Sequence, residues 1–257
     1  MKEFRSIVVL TGAGISAESG IGTFRDLGGL WGRHRVEDVA SPEGFSRDPE
    51  LVHRFYNLRR RTLLSGDIHP NPAHRALARL EGGFTGDFLL VTQNIDDLHE
   101  RAGSGDPVHM HGELLKARCA ACGAVRGISV DLGNEDACAQ CGRHGLMRPH
   151  VVWFGEMPME MDRILPRLEQ CDLFVAIGTS GQVYPAAGFV DVARRAGAYT
   201  VELNLERTGV VDEFDESIQG PAGETVPPFT EGLLRGGDAA LSGAARRPPD
   251  SNRGRGR

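Results

Sequence analysis

The feature that most constrains the fold is a short apolar run that leads directly into a glycine-rich turn near the start of the chain. Residues 7–10 read IVVL, and residues 12–17 read GAGISA. β-branched residues bounded by charge and glycine are typical of a buried parallel strand. A G-x-G-x-x-G/A turn directly after such a strand is typical of a nucleotide-binding helix start, where Gly12 permits the bend and Gly14 leaves room for a pyrophosphate. This stretch predicts an α/β fold with a nucleotide site, against the plainer alternative of an ordinary strand–turn–helix.

The alternation of apolar runs with helical segments continues along the chain. Apolar runs at 88–92, 172–177 and 199–203 end in the polar segments QNID (93–96), GTSG (178–181) and NLE (204–206). Residues 151–156 read as a further strand with an exposed end, and helical spacing occupies 49–64, 71–80 and 185–196. Strand alternating with helix predicts a doubly wound parallel sheet, whose polar loops share one edge and line the ligand site.

Two segments lack the periodicity of helices and strands. Glycines at positions 20, 22, 28 and 29 interrupt the segment after the turn. They predict a mobile loop that carries Phe24, Arg25 and Trp31 and could fold over a bound cofactor. Residues 236–257 are poor in apolar side chains, so we expect a disordered tail there.

The paired cysteine motifs are the most specific sign of a metal. Cys119 and Cys122 form one C-x-x-C pair, Cys138 and Cys141 form another, and fifteen residues separate the pairs. This spacing matches a structural zinc site, because each tight turn presents two thiolates and two turns complete a tetrahedron. Four protein ligands leave no open coordination position, so we expect this zinc to hold structure and take no part in chemistry. Cys171 lies outside the pattern and is expected to be a buried thiol.

Charge and hydropathy exclude several classes of protein. A net charge of −6 argues against a general nucleic-acid or anionic-membrane surface. Apolar runs are far shorter than the ~20 residues that a membrane span needs. The expectation is a cytoplasmic protein, possible as a monomer, whose cysteines are reduced or bound to metal.

Two histidines in the segment VHMHG (108–112) are candidates for a catalytic base. Alternation places Val108 and Met110 on one face of an extended segment, and His109 and His111 on the other. Both imidazoles have the right intrinsic pKa for proton transfer at neutral pH. Spacing alone does not choose between them.

Taken together, these motifs resemble the sirtuin family of NAD-dependent protein deacylases. The residues that carry the resemblance are GAGISAESGIGTFRD (12–26), TQNID (92–96), HGE (111–113), the cysteine pairs, FGE (154–156), GTS (178–180) and NLE (204–206). They occur in the family's order and extend from about residue 7 to residue 234. The chain is most similar to the bacterial branch grouped with class III, which removes succinyl and related acyl groups.

The resemblance implies one deacylase domain over residues 1–235 with NAD as a co-substrate. A large Rossmann-like part would comprise about residues 1–31, 76–112 and 151–235, and a smaller part of helices and a zinc ribbon would comprise about residues 32–75 and 113–150. NAD would lie between the two parts. By position, the expected NAD contacts are Gly12, Ala13, Gly14, Ile15, Phe24, Arg25, Trp31, Gln93, Asn94, Ile95, Asp96, Gly178, Thr179, Ser180, Asn204, Leu205, Glu206 and Ala222.

The resemblance also implies the chemistry. His111 would be the base and Asn94 the second catalytic residue, while the acyl group passes from a protein lysine to ADP-ribose and nicotinamide leaves. The acyl-lysine peptide would add as a strand between residues 154–156 and 181–183, mostly through main-chain hydrogen bonds. The expected contacts on the two sides are Phe154, Gly155, Glu156 and Val183.

Tyr56 and Arg59 lie three residues apart and therefore share one face of a predicted helix. Without the resemblance, the expectation is a solvated surface pair. With it, the pair forms a pocket for acyl groups that end in a carboxylate, since an arginine fork binds a carboxylate in bidentate geometry and a phenol adds one hydrogen bond. Ala40 resembles the small residue that leaves room for the longer acyl chain in this branch.

Three other functions stay open at this point. An NAD-dependent dehydrogenase would place its ribose-binding acid about 20 residues after the glycine turn, whereas Glu206 looks like the substitute here. A zinc-ribbon nucleic-acid-binding protein would carry a basic surface around the cysteines, but the segment between them is acidic. A protein ADP-ribosyltransferase would use the same fold and mark its target covalently.

Overall fold

The computed structural model describes residues 4–22 and 34–236. The predictions made for Phe24, Arg25, Trp31 and residues 237–257 lie outside the described residues. Within the described ranges, none of the helices combines the length and apolar character that a membrane crossing needs.

The strands, in chain order, are β1 (Ser6–Thr11), β2 (Asp87–Thr92), β3 (Val108–His109), β4 (Gly112–Cys119), β5 (Val125–Gly127), β6 (Met147–Val151), β7 (Leu173–Ile177), β8 (Tyr199–Asn204) and β9 (Glu216–Gln219). The helices are α1 (Val36–Val39), α2 (Pro42–Arg47), α3 (Pro49–Leu63), α4 (Pro72–Gly83), α5 (Leu98–Ala102), α6 (Met161–Leu168), α7 (Phe189–Arg195) and α8 (Ala222–Leu234).

Six parallel strands form the main sheet, in the order β3-β2-β1-β7-β8-β9. Strand β1 is buried along its whole length, and its alternate residues enter different apolar cores on the two faces, Ile7 and Val9 on one side and Val8 and Leu10 on the other. Burial on both faces explains why this strand is a continuous apolar run. The strand order reverses between β1 and β7, and open α/β sheets bind ligands in the crevice at such a reversal.

A second, antiparallel sheet of three strands, in the order β5-β4-β6, carries the cysteine pairs. A small apolar cluster beneath it includes Cys119, Cys138, Ile128 and Leu132. Another cluster joins helix α3 to Trp153 and to Leu114 of β4. The doubly wound parallel sheet and the smaller zinc-ribbon and helical part predicted from the sequence are therefore both present.

Most predicted elements are confirmed, and three differ. Residues 151–156 do not continue as a strand, because β6 ends at Val151 and the Trp153 and Glu156 backbones close a turn. The helix predicted to start at the glycine turn consists of two short 3₁₀ turns, which Gly20 ends with φ of +87°. The predicted helix 185–196 begins with a 3₁₀ turn and becomes α-helical at Phe189.

The turns after β1 and β7 meet backbone to backbone. Gly12 N–H donates to Ile177 O at 3.0 Å, and Gly14 N–H donates to Gly178 O at 2.9 Å. A Cβ on Gly14 would lie 2.7 Å from Gly178 Cα, and a Cβ on Gly178 would lie 2.5 Å from Ile15 N. The missing Cβ and the N–H of Gly14 thus serve this contact between the turns. The role of Gly14 toward a pyrophosphate stays a prediction.

We expect Gly178→Ala to lower the free energy of unfolding by about 2–4 kcal/mol, since it combines a left-handed backbone with backbone overlap. The residue has φ of +61°. Gly197→Ala is the control, because it shares the left-handed region with φ of +92° but meets nothing within 4 Å. That control should lose only about 1–2 kcal/mol in urea unfolding. Equal losses in the two variants would show that the contact between the turns contributes nothing.

Candidate functional site

Polar side chains at the carboxyl ends of the parallel strands meet at the strand reversal. Asn94 Nδ2, in the loop after β2, donates to Gly12 O at 3.1 Å and to Ser16 Oγ at 3.1 Å. Asn204 Nδ2, at the end of β8, donates to Thr179 O at 2.6 Å in the loop after β7. The structure thus connects the loop after β2 to the turn after β1, and the end of β8 to the loop after β7.

Ser16 is the centre of a buried hydrogen-bond network that the sequence reasoning missed. Its hydroxyl donates to Asp96 Oδ2 at 3.1 Å, accepts from Asn94 and lies 3.4 Å from His74 Nε2. Burial raises the pKa of Asp96 and lowers the pKa of His74 to about 4, so His74 is neutral. Ser16 stands inside the quoted GAGISAES motif, and a hydroxyl in an otherwise apolar and small-residue turn was the available signal.

Both ring nitrogens of His109 lie against acceptors, which favours the imidazolium form. Its Nε2 lies 2.7 Å from Glu100 Oε1 and its Nδ1 lies 3.2 Å from Asn94 O. Both partners only accept, so both ring nitrogens carry hydrogen. Burial acts to lower the pKa of His109, but the hydrogen bond and the charge of Glu100 outweigh burial, and the pKa is raised overall. A ring without a lone pair cannot act as a base.

His111 has the opposite environment. Its Nδ1 lies 3.1 Å from the carbonyl oxygen of Gln93, which only accepts, so Nδ1 carries the hydrogen and Nε2 keeps its lone pair. Burial lowers the pKa of His111, and its neutral form is therefore the one present at neutral pH. Of the two histidines, the one able to accept a proton is His111.

Other predicted cofactor residues follow the same strand ends, except Ala222. The Ile95 carbonyl accepts from Leu114 N at 2.8 Å. Ser180 Oγ accepts from Gln182 N at 3.3 Å. Ile15 is fully buried, Leu205 and Glu206 are exposed after β8, and Ala222 begins α8.

Tyr56 is a buried neutral donor and not part of a solvated surface. Its hydroxyl oxygen accepts from Trp153 Nε1 at 3.0 Å. Burial raises the pKa of Tyr56 to about 12, so the phenol keeps a hydrogen to donate. Arg59 is half-buried, with its guanidinium carbon 5.5 Å from the centre of the Phe55 ring. Burial lowers the pKa of Arg59 while Tyr56 and Asp96 act to raise it.

The Trp153–Glu156 turn contacts Tyr56 through Trp153, and the carboxylate of Glu156 is bound by groups of the fold. Glu156 Oε1 accepts from Arg148 and Arg118, each at 2.6 Å, and Glu156 Oε2 accepts from Trp153 N at 2.8 Å. Phe154 N donates to Ala40 O at 3.0 Å, which joins the turn to the residue predicted to leave room for the acyl chain.

The predicted substrate residues include two exposed apolar side chains. Phe154 is 54% exposed and Val183 is 38% exposed. Gly155, between Phe154 and the bound carboxylate of Glu156, has φ of +89°. A substrate contact made by Gly155 or Glu156 would therefore use the main chain, as the resemblance implies.

The four cysteines form a group that fits zinc. Their Sγ atoms all lie within 4.8 Å of one another, with Cys119 and Cys141 3.8 Å apart and Cys122 and Cys138 3.6 Å apart. Zn–S bonds of about 2.3 Å in a tetrahedron place sulfurs about 3.8 Å apart, so the four thiolates need little movement. Cys171 is buried, as predicted.

Comparison with known proteins points to one family. The family model described as "Sir2 family" matches residues 12–185. The "NAD-dependent protein deacylase" of Escherichia coli strain K12 is 60% identical over 230 residues, which cover 90% of this chain and 82% of the relative. A solved "Sir2 homolog-NAD complex" superposes with a TM-score of 0.83 at 39% identity, covering 91% of each chain.

A second solved structure adds a peptide. It is Sir2 in complex with the inhibitor EX-527, 2′-O-acetyl-ADP-ribose and a deacetylated p53 peptide. It superposes with a TM-score of 0.75 at 30% identity, covering 89% of this chain and 94% of that chain.

We expect Cys119→Ala to lose the bound zinc and to unfold at a lower temperature, because three thiolates no longer close the tetrahedron and the metal contributes directly to folding. Zinc content per chain and the midpoint of thermal unfolding measure the two effects. Cys171→Ala removes a buried thiol outside the cluster and should keep one zinc ion. A Cys119→Ala protein without zinc that unfolded at the wild-type temperature would contradict the structural role.

Proposed function

We infer that this chain, which belongs to the Sir2 family, is an NAD-dependent protein deacylase. The observation that carries the inference is the His111 ring, whose Nδ1 lies against the carbonyl of Gln93 in the loop after β2 and whose Nε2 keeps its lone pair. Asn94 in the same loop binds the turn after β1. The name of the E. coli relative and the NAD in the similar structure support it. Family membership favours acyl transfer over the dehydrogenase and nucleic-acid alternatives.

NAD, when bound, supplies the ADP-ribose that accepts the acyl group as nicotinamide leaves. The residues that would hold it are the predicted set at the ends of β1, β2, β7 and β8. Asn94 contributes a fixed side-chain amide, because Gly12 O and Ser16 Oγ hold its Nδ2. Asn204 is fixed in the same way by Thr179 O. Rigid polar groups of this kind bind a ligand with little loss of side-chain entropy.

His111 is the general base. Its Nε2 accepts a proton from a ribose hydroxyl, while the Gln93 carbonyl holds the hydrogen on Nδ1 and stabilises the imidazolium that forms. His109 transfers no proton in this proposal. Its ring contacts the Asn94 carbonyl and Glu100 and so helps to position the loop after β2.

The acyl group lies against Tyr56 and Arg59 and ends in a carboxylate, as in succinyl or malonyl lysine. The Tyr56 hydroxyl, which accepts from Trp153, donates to that carboxylate, and the guanidinium of Arg59 adds a charged fork. Acetyl lysine is accepted too but does not reach these groups. The peptide itself runs between the exposed Phe154 and Val183 side chains.

His111→Asn should lower kcat for deacylation roughly 10²–10⁴-fold, because it removes the general base. NAD binding should persist. His109→Asn should stay within about tenfold of the unchanged enzyme, since that ring transfers no proton. Mass spectrometry of a reaction of NAD with an acyl-lysine peptide measures the free lysine and the O-acyl-ADP-ribose; a larger loss for His109→Asn would reassign the base.

The pH profile tests the same assignment. The pKa of His111 is lowered by burial, so the neutral base persists at more acid pH than free imidazole allows. The acid limb of kcat/KM should therefore inflect below pH ~6.5. An inflection above that value would indicate a base whose pKa is raised, as in His109.

Arg59→Met should reduce desuccinylation far more than deacetylation. Loss of a partly buried, charge-assisted contact costs about 2–4 kcal/mol, or roughly 30- to 900-fold in kcat/KM for the succinyl peptide. Arg54→Met on the same helix removes an exposed arginine paired with Glu50 and should leave both activities unchanged. Equal losses on succinyl and acetyl peptides would contradict the proposed pocket.

A further inference from the structure

Helix α3 carries two functional faces. Tyr56 and Arg59 belong to the proposed acyl pocket, and the next residue after each of them, Asn57 and Arg60, points to the cysteine-bearing part of the chain. Asn57 is 8% exposed and Arg60 is 1% exposed. A buried amide and a buried guanidinium on one helix need specific partners, because unpaired buried polar groups are costly.

Asn57 clamps Leu132 by binding both of its backbone polar groups. Its Nδ2 donates to Leu132 O at 2.9 Å, and its Oδ1 accepts from Leu132 N at 2.9 Å. Arg60 NH1 donates to the same Oδ1 at 2.8 Å. The two side chains therefore act as one unit, and the amide orientation of Asn57 is fixed by its three partners.

Arg60 extends the clamp to two more backbone carbonyls. Its Nε donates to Leu114 O at 3.1 Å, and its NH1 lies 3.4 Å from Val130 O. Burial lowers the pKa of Arg60 to about 10, with the charge of Asp131 opposing the shift. Within the described ranges no carboxylate forms an ion pair with Arg60, so backbone carbonyls and the amide oxygen of Asn57 hold this buried cation in place.

The clamped segment is fixed in turn by the cysteine cluster. Leu132 and Ile128 pack in one apolar cluster with Cys119 and Cys138. Leu114 lies on β4, the strand that ends at Cys119. Contacts therefore connect Cys119 and Cys138 through residues 128–132 to Asn57 and Arg60.

We propose that Asn57 and Arg60 are positioning residues which transmit the placement of the zinc-binding part to Tyr56 and Arg59, and so set the preference for acyl groups that end in a carboxylate. The inference rests on the acyl pocket proposed above. A bidentate contact between a guanidinium and a carboxylate depends on alignment to a fraction of an ångström. An acetyl group makes no such contact, so a small shift of α3 should affect the two substrates unequally.

The test is Asn57→Ala, assayed with succinyl and acetyl forms of one peptide under saturating NAD. We expect KM for the succinyl peptide to rise about tenfold or more, KM for the acetyl peptide to stay within about threefold, and zinc to remain at one ion per chain. Arg60→Lys keeps the charge but cannot reach the carbonyls as a fork, and it should shift the ratio of the two KM values in the same direction. If Asn57→Ala does not fold, the KM ratio of Arg60→Lys tests the positioning role.

Arg61→Met is the matched control. Arg61 lies on the same helix and pairs with Asp131 of the same segment, but both side chains are largely exposed. This variant should leave the ratio unchanged. Equal effects of Asn57→Ala or Arg60→Lys on both substrates, or no effect on either, would overturn the positioning role. The acyl pocket itself fails in a different way, namely if the unchanged enzyme shows no succinyl preference and Arg59→Met affects both substrates alike.

Discussion

The contact on which the rest of the site depends is the one between the turns that follow β1 and β7. Gly12 and Gly14 on one side and Gly178 on the other meet with no room for a side chain. That approach brings the ends of two central strands together at the point where the strand order reverses. Asn94 then attaches the loop after β2 to the same turn through Gly12 O. A side chain at any of these glycines would separate the strand ends and, with them, the loops that carry the polar residues.

The two histidines of the segment VHMHG (108–112) lie in chemically different surroundings. Alternation places Val108 and Met110 in the core, which leaves both rings facing the loop after β2. A carboxylate oxygen 2.7 Å away raises the pKa of His109, whereas the ring of His111 contacts a backbone carbonyl and burial lowers its pKa. The difference comes from the partners, since the two residues have the same intrinsic pKa and nearly the same neighbours in sequence.

The parts of the fold and of the site that the sequence could predict are those that depend on local signals. Continuous apolar runs and the C-x-x-C spacing are local signals, and they correctly located β1, β2, β7, β8 and the cysteine cluster. The helices α6 and α8 lacked a clear signal because Pro166, Pro227 and Pro228 lie inside them. The edge strand β9, ESIQ, has no apolar run. Each of these elements depends on tertiary packing that overrides local preference.

Contacts between distant residues were beyond reach for the same reason. Nothing near Tyr56 shows that Trp153, 97 positions away, would bury it and occupy its hydroxyl oxygen. Nothing near Glu156 shows that two arginines would bind its carboxylate. Asn94 has the most such contacts. Its backbone N–H donates to Thr92 Oγ1, its backbone carbonyl contacts the His109 ring, and its Nδ2 donates to Gly12 O. With the amide nitrogen held by the fold, the role proposed for Asn94 falls to its side-chain oxygen, whose direction is set by those contacts.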